Sequence, residues 1–235
     1  MINGMLSAEF LKMKKICLWI PVISAVILLL FTCMEWYLYF RQGEAGVYTG
    51  LNVVYLFLSF TMLLTISLLC SVFFETEHQA QGMKMIFSMP VSRRAFYFIK
   101  ALWVIILMLI CCSLILLGAS LIWIVYTNER LPFLFLTKQV FGCFAASLPV
   151  LGIQLFLSAR FANQTFPLAA GAIGAISSLF LARFGTKLLY VLPWAYPSMA
   201  SPFIKGYTNW IILGAALGLI ILLLGSIRFG AMEMK

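Results

Sequence analysis

Seven uncharged, mostly apolar runs divide the chain: residues 16–34, 45–74, 101–128, 139–159, 161–182, 188–204 and 206–227. A helix rises 1.5 Å per residue and the hydrocarbon core of a bilayer is about 30 Å thick, so a span takes about 20 apolar residues. Six of the runs satisfy this and predict transmembrane helices. The exception is 188–204, where Pro193, Pro197 and Pro202 stand among Tyr190, Trp194 and Tyr196. Each internal proline removes a backbone hydrogen bond that lipid cannot replace, whereas such aromatics suit the headgroup layer. The stretch 185–205 is therefore expected to be an interfacial or re-entrant element between the fifth and sixth spans. Counted as a span, it would make seven and move the C-terminus to the other side.

The polar stretches between these runs carry their own patterns. In residues 1–15, Met5, Leu6, Phe10 and Met13 can share one helical face while Glu9, Lys12 and Lys15 lie towards the other, which predicts an amphipathic helix lying on the membrane. A solvated basic tail is the plainer alternative. The longest polar stretch, 75–100, joins the second and third spans; acidic residues open it and basic residues close it. Met83, Ile86 and Phe87 would form an apolar patch on a short helix that Pro90 ends, and Ser92 can cap the helix that follows. Such a helix either docks a soluble partner or connects two spans with its apolar side on lipid. Gly214 and Gly218 form a G-x-x-x-G, and Ala170, Gly171, Gly174 and Ala175 give overlapping small-residue pairs; both mark close helix packing without naming the neighbour. Pro149 with Gly152 predicts a kink in the fourth span.

Composition fixes the solvent. The 235 residues are 64% hydrophobic and 10% charged, with a mean hydropathy of +1.07. A soluble domain of this size could not hide that much apolar surface. The net charge of +9 does not point to nucleic acid, because the basic residues are scattered between apolar runs, where they set orientation. With six spans and the N-terminus inside, Lys12, Lys14, Lys15, Lys84, Arg93, Arg94, Lys100, Arg160, Arg228 and Lys235 fall on the cytoplasmic side, and Arg41, Arg130, Lys138, Arg183, Lys187 and Lys205 on the other. That bias predicts cytoplasmic termini. The first run has no small-residue cleavage site and reads as a retained span.

Residues suited to catalysis are scarce. The one histidine, His78, falls in a loop, so Ser177 and Ser178 in the fifth span have no base. The six cysteines lack metal-ligand spacing and read as packing residues. No G-x-x-x-x-G-K-[ST] occurs, so the chain has no P-loop for ATP. The Asn163-Gln164-Thr165 sequon falls on the cytoplasmic side. Glu35 reads as an interfacial glutamate, with Arg41 nearby. Proton or sodium coupling usually leaves acidic residues inside the spans, and these spans hold almost none. Any uphill transport would draw its energy from a separate ATPase.

Four stretches resemble a known family: AEFLKMKK at 8–15; ETEH at 75–78 through SMPVSRR at 88–94 and on to Lys100; LPVLGIQLFLSARFANQ at 148–164; and PWAYP at 193–197. Together the chain resembles the permease subunit of a type-2 ATP-binding-cassette exporter, in particular the lantibiotic-immunity permeases. The resemblance implies one transmembrane permease domain over 1–235, all α-helical, in a bacterial plasma membrane. It implies an interfacial helix at 1–15, a cytoplasmic coupling segment at 75–100 and an external re-entrant element at 185–205. It also implies a second permease subunit, alike or different, and cytoplasmic ATP-binding subunits that carry ATP and magnesium, none of it bound by this chain. Glu75, Glu77, Gly82, Pro90, Arg93 and Arg94 would couple to the ATPase. Trp194 and Tyr196 would form an external gate or touch an amphipathic peptide substrate; packing and interfacial anchoring are the other reading of those two. The same architecture serving another drug, lipid or peptide, and a non-transporting scaffold or sensor, are the alternatives.

Overall fold

The computed structural model describes residues 7, 9–42, 51–79, 92–184 and 191–231, and among them every regular element is helical. The long helices are α1 (Lys15–Gln42), α2 (Asn52–Gln79), α3 (Arg93–Tyr126), α4 (Phe133–Arg160), α5 (Thr165–Phe184) and α7 (Tyr207–Gly230). Between α5 and α7 lie a 3-10 turn (Pro193–Ala195) and the single turn α6 (Tyr196–Met199). In lipid a backbone must satisfy its own hydrogen bonds, so helices are the natural outcome of these runs. Five helices (α1 to α4 and α7) are long and apolar enough to cross a membrane. α5 has 20 residues, of which Thr165–Phe180 makes a shorter apolar helix.

The helices differ in how deeply they sit. In α4 and α2, 67% and 61% of the apolar window is buried, against 28% in α1 and 33% in α7. α2 and α4 are thus the centre, and the others turn a broad apolar face outward. The main core joins α1 to α4 through Leu28, Met62, Ile66, Met108, Cys111 and Leu151. Five of the six cysteines are buried and all are unpaired.

The packing of α4 against α7 identifies the partner of the G-x-x-x-G. A Cβ placed on Gly214 would stand 2.6 Å from the Ala146 Cα, and one on Gly218 would stand 2.8 Å from the Leu148 carbonyl carbon. Gly142 faces Ile211 and Gly152 faces Ile221. The two helices therefore run parallel in constant register, and the small residues of α7 serve contact within the chain. α4 continues through Pro149 as one helix.

Two ends of the bundle are distinct. At one, Phe96 stacks on Phe229 with centroids 6.2 Å apart, and the His78 ring bonds the Ser158 carbonyl at 3.1 Å. This end gathers the start of α3 and the ends of α2, α4 and α7. At the other, Trp36 meets Trp123 edge-on at 5.5 Å, Tyr55 and Phe135 both approach Phe203, and the Ser201 hydroxyl donates to Gln139 Oε1 at 2.6 Å. Aromatics of this kind are enriched at membrane–water interfaces.

Candidate functional site

Charge is rare in this chain, and it is concentrated at the first end. The Lys100 ammonium is 2.7 Å from the Glu9 carboxylate and 3.0 Å from that of Glu77. The cluster is closed: Lys100 is 2% exposed, Glu77 5% and Glu9 6%. The faces of Phe73 and Phe96 stand 5.4 and 5.2 Å from the ammonium, adding cation–π attraction. Each member comes from a different place: Glu9 from the lead-in before α1, Glu77 from the last turn of α2, and Lys100 from the second turn of α3. One buried lysine thereby ties the lead-in to both flanks of the 80–91 stretch. The sequence expectation put Glu9 with Lys12 and Lys15 on the polar face of an interfacial helix; the structure corrects this for Glu9, which turns inward onto Lys100 of α3 while Lys12 and Lys15 stay exposed. Phe10 stacks on Trp103 at 5.4 Å in the same contact.

The remaining expected coupling residues lie at the same end of the bundle, on α2 and α3, or outside the described residues. Gly82 and Pro90 are among the latter, as is the short helix expected around Met83, Ile86 and Phe87. Glu75 is half-buried and its Oε1 accepts from Gln79 Nε2 at 3.0 Å. Ser92 caps α3, its Oγ accepting from the Ala95 N–H at 3.3 Å, as the sequence pattern expects. Arg93 is half-buried and Arg94 exposed. The Arg94 stem lies over the end of α7, where a Cβ on Gly230 would be 3.1 Å from its Cγ. Two arginines in the first turn oppose the helix dipole, which favours acidic residues there, and Arg94 is the exposed one of the pair. α3 has 34 residues, or about 51 Å, so its first turns extend beyond a hydrocarbon core of about 30 Å.

His78 and Gln164 both bond the Ser158 carbonyl, at 3.1 and 3.0 Å, and so fasten the end of α2 to the exit of α4. Gln154, one helical turn before Ser158 and fully buried, orients its amide between the Pro167 carbonyl and the Gly171 N–H of α5.

Trp194 and Tyr196 do not share one surface. Tyr196 is buried, packed on Trp210 at 5.6 Å in a cluster with Ala146 and Ala200. Trp194 is half-buried and packs against Leu63, Val150 and Ala175, near the middle of α2, α4 and α5. Its indole rests on Gly174, where no side chain would fit, and its buried Nε1–H has no hydrogen-bond partner among the described residues. The 193–199 segment therefore packs among the helices. Sequence reasoning missed Glu9 and Lys100 as members of the site. The available signal was the alternation of the spans, which places Glu9, Glu77 and Lys100 at one end.

Long apolar helices around one buried charge cluster define a multi-pass membrane protein whose polar machinery sits at one end. Residues 5–178 match the family described as ABC-2 family transporter protein. The chain belongs to that family, as a membrane permease that partners an ATP-binding subunit. No match was found among curated proteins, nor among solved structures.

Proposed function

We propose that the chain is the permease of an ATP-driven exporter and that the first end of the bundle faces the cytoplasm, where residues 75–100 dock on the ATP-binding subunit. The observation that carries this reading is the Glu9–Lys100–Glu77 cluster. A segment that receives force must be anchored at both flanks, and one lysine holds the last turn of α2, the second turn of α3 and the lead-in together. Glu77 then acts by positioning. Glu75, Arg93 and Arg94, with Gly82 and Pro90 between them in sequence, are the residues we assign to the partner contact, and the exposed Arg94, unfavourably placed on the α3 dipole, supports an external acidic counterpart. α5 completes six spans, with both termini cytoplasmic, and the 193–199 hairpin enters from the outer side as a re-entrant element. Its depth beside α2, α4 and α5 supports Trp194 as the gate; Tyr196 holds the hairpin to α7.

The cargo we infer is an amphipathic peptide of the lantibiotic type, removed from the membrane of a bacterium that it would otherwise permeabilise. Charge-poor spans lined by aromatics suit such a cargo better than a hydrophilic solute. The test is purification of the complex from its native membrane with Arg93→Ala/Arg94→Ala beside the wild type. Loss of cargo-stimulated ATP hydrolysis with the variant still inserted is expected. A wild-type permease that brings no ATPase with it overturns the reading. Cells that gain no protection from lantibiotics while the ATPase remains coupled would reject the cargo alone.

A further inference from the structure

A second site lies on the outside of the bundle. Ile153, Phe156 and Leu157 of α4 face Ile221, Leu224 and Gly225 of α7 across an apolar trough of about 220 Å³, and Arg228 closes one end of it. The residues follow one rule on both helices. Positions 153, 156, 157 and 160 share a face of α4, and 221, 224, 225 and 228 share a face of α7. The parallel register that sets Gly152 against Ile221 and Gly142 against Ile211 brings Arg160 level with Arg228. Both arginines are exposed in the last turns of their helices, and neither has an ion pair with a described residue. Basic residues at helix C-termini are ordinary complements of the dipole. Arg228 at the mouth of the apolar trough, with Arg160 level with it one turn beyond Leu157, gives the outline of a lipid: a chain slot with a phosphate clamp.

We propose that this trough is a binding site for an anionic phospholipid, with an acyl chain between α4 and α7 and the phosphate between Arg160 and Arg228. Basic pockets between transmembrane helices recognise anionic headgroups in this way. The inference stands apart from the coupling role, since neither arginine takes part in it. Purified full-length chain, titrated in detergent with phosphatidylglycerol or phosphatidylcholine, reports retained lipid by native mass spectrometry. The wild type is expected to prefer phosphatidylglycerol, and Arg160→Ala/Arg228→Ala to lose about five-fold of that preference per arginine. Leu224→Trp, at a position 60% exposed and hence tolerant, fills the slot with both arginines present and should lower retention of both lipids. Arg130→Ala, at the opposite end, should change nothing. Equal retention of the two lipids by the wild type overturns the proposal. So does a preference that survives the double alanine variant, since the net charge alone would then explain it. A trough that belongs to an interface between copies would show itself as a dimer broken by Leu224→Trp with lipid retention unaltered, and that result also rejects the site.

Discussion

The Lys100 ammonium lies 2.7 Å from the Glu9 carboxylate, joining the lead-in to the third helix. Glu77 meets the same ammonium at 3.0 Å, so one cation serves two anions in a space closed to water. Such clusters do not stabilise by attraction alone, because burial removes the hydration of every charge. Their value is that no other arrangement of these segments is tolerable. An order of damage follows from the charge count.

Lys100→Met leaves two buried carboxylates without a counter-charge and is expected to cost about 3–5 kcal/mol. Glu9→Gln removes one of the two ion pairs but leaves a neutral Lys100–Glu77 pair, so it should cost clearly less than Lys100→Met. Thermal unfolding of the purified chain and its variants ranks them. If Glu9→Gln proves as harmful as Lys100→Met, the lysine is not the centre of the cluster.

The α4–α7 seam makes a second ranking testable. The atoms facing Gly214 and Gly218 include the Ala146 and Leu148 backbone, which cannot swing aside as a flexible side chain could. Gly214→Ala and Gly218→Ala are each expected to cost about 1–3 kcal/mol through overpacking. Gly206 is constrained differently: its φ of 77 is left-handed and its surroundings are open. Gly206→Ala should cost about 1–2 kcal/mol, most of it recovered by Gly206→Asn, which tolerates that conformation. Equal losses for Ala and Asn at 206 would mean that space rather than backbone conformation is limiting there.

These features were unequally visible in the sequence. Spans are legible because lipid enforces length and apolarity, and the prolines at 193, 197 and 202 marked the break before α7 for the same reason. The cap at Ser92 was legible because capping is local. Glu9 was not. Helical periodicity says which residues share a face, but the group that covers any one of them is a tertiary fact, and here Lys100 of α3 covers Glu9 while Lys12 and Lys15 stay exposed. Lys100 read as one more interfacial lysine because its partners lie in two other segments. The neighbour of Gly214 and Gly218 was undetermined because a small-residue stripe encodes proximity and no address. Trp194 was legible as unusual by its prolines, yet its depth depends on Gly174 of α5.

That dependence gives a third prediction. A side chain at Gly174 would occupy the place of the Trp194 indole, whose Cε2 would be 2.8 Å from the new Cβ. Gly174→Ala should destabilise the chain by about 1–3 kcal/mol, while adding it to Trp194→Ala should cost far less. A double-mutant cycle of unfolding free energies is expected to give a coupling of at least about 0.5 kcal/mol, the threshold for residues in contact. Additive effects would place Trp194 away from α5 and would remove the support for a hairpin at mid-depth.

Gln154 offers a sharper separation of packing from polarity. With the amide oriented as its neighbours require, Nε2 donates to the Pro167 carbonyl at 3.1 Å and Oε1 accepts from the Gly171 N–H at 3.0 Å. Pro167 and Gly171 stand four residues apart inside the helix Thr165–Phe184, whose own i to i−4 ladder serves these two backbone groups. Gln154→Leu therefore strands no buried polar group and should change stability by less than about 1 kcal/mol, since replacing a satisfied amide by an apolar group of similar shape is nearly neutral. Gln154→Ala leaves a void among α2, α4 and α5 and should cost about 2 kcal/mol or more. Thermal unfolding separates the two. A loss for Gln154→Leu as large as for Gln154→Ala would show that the amide's polar contacts, and not its volume, hold α4 to α5.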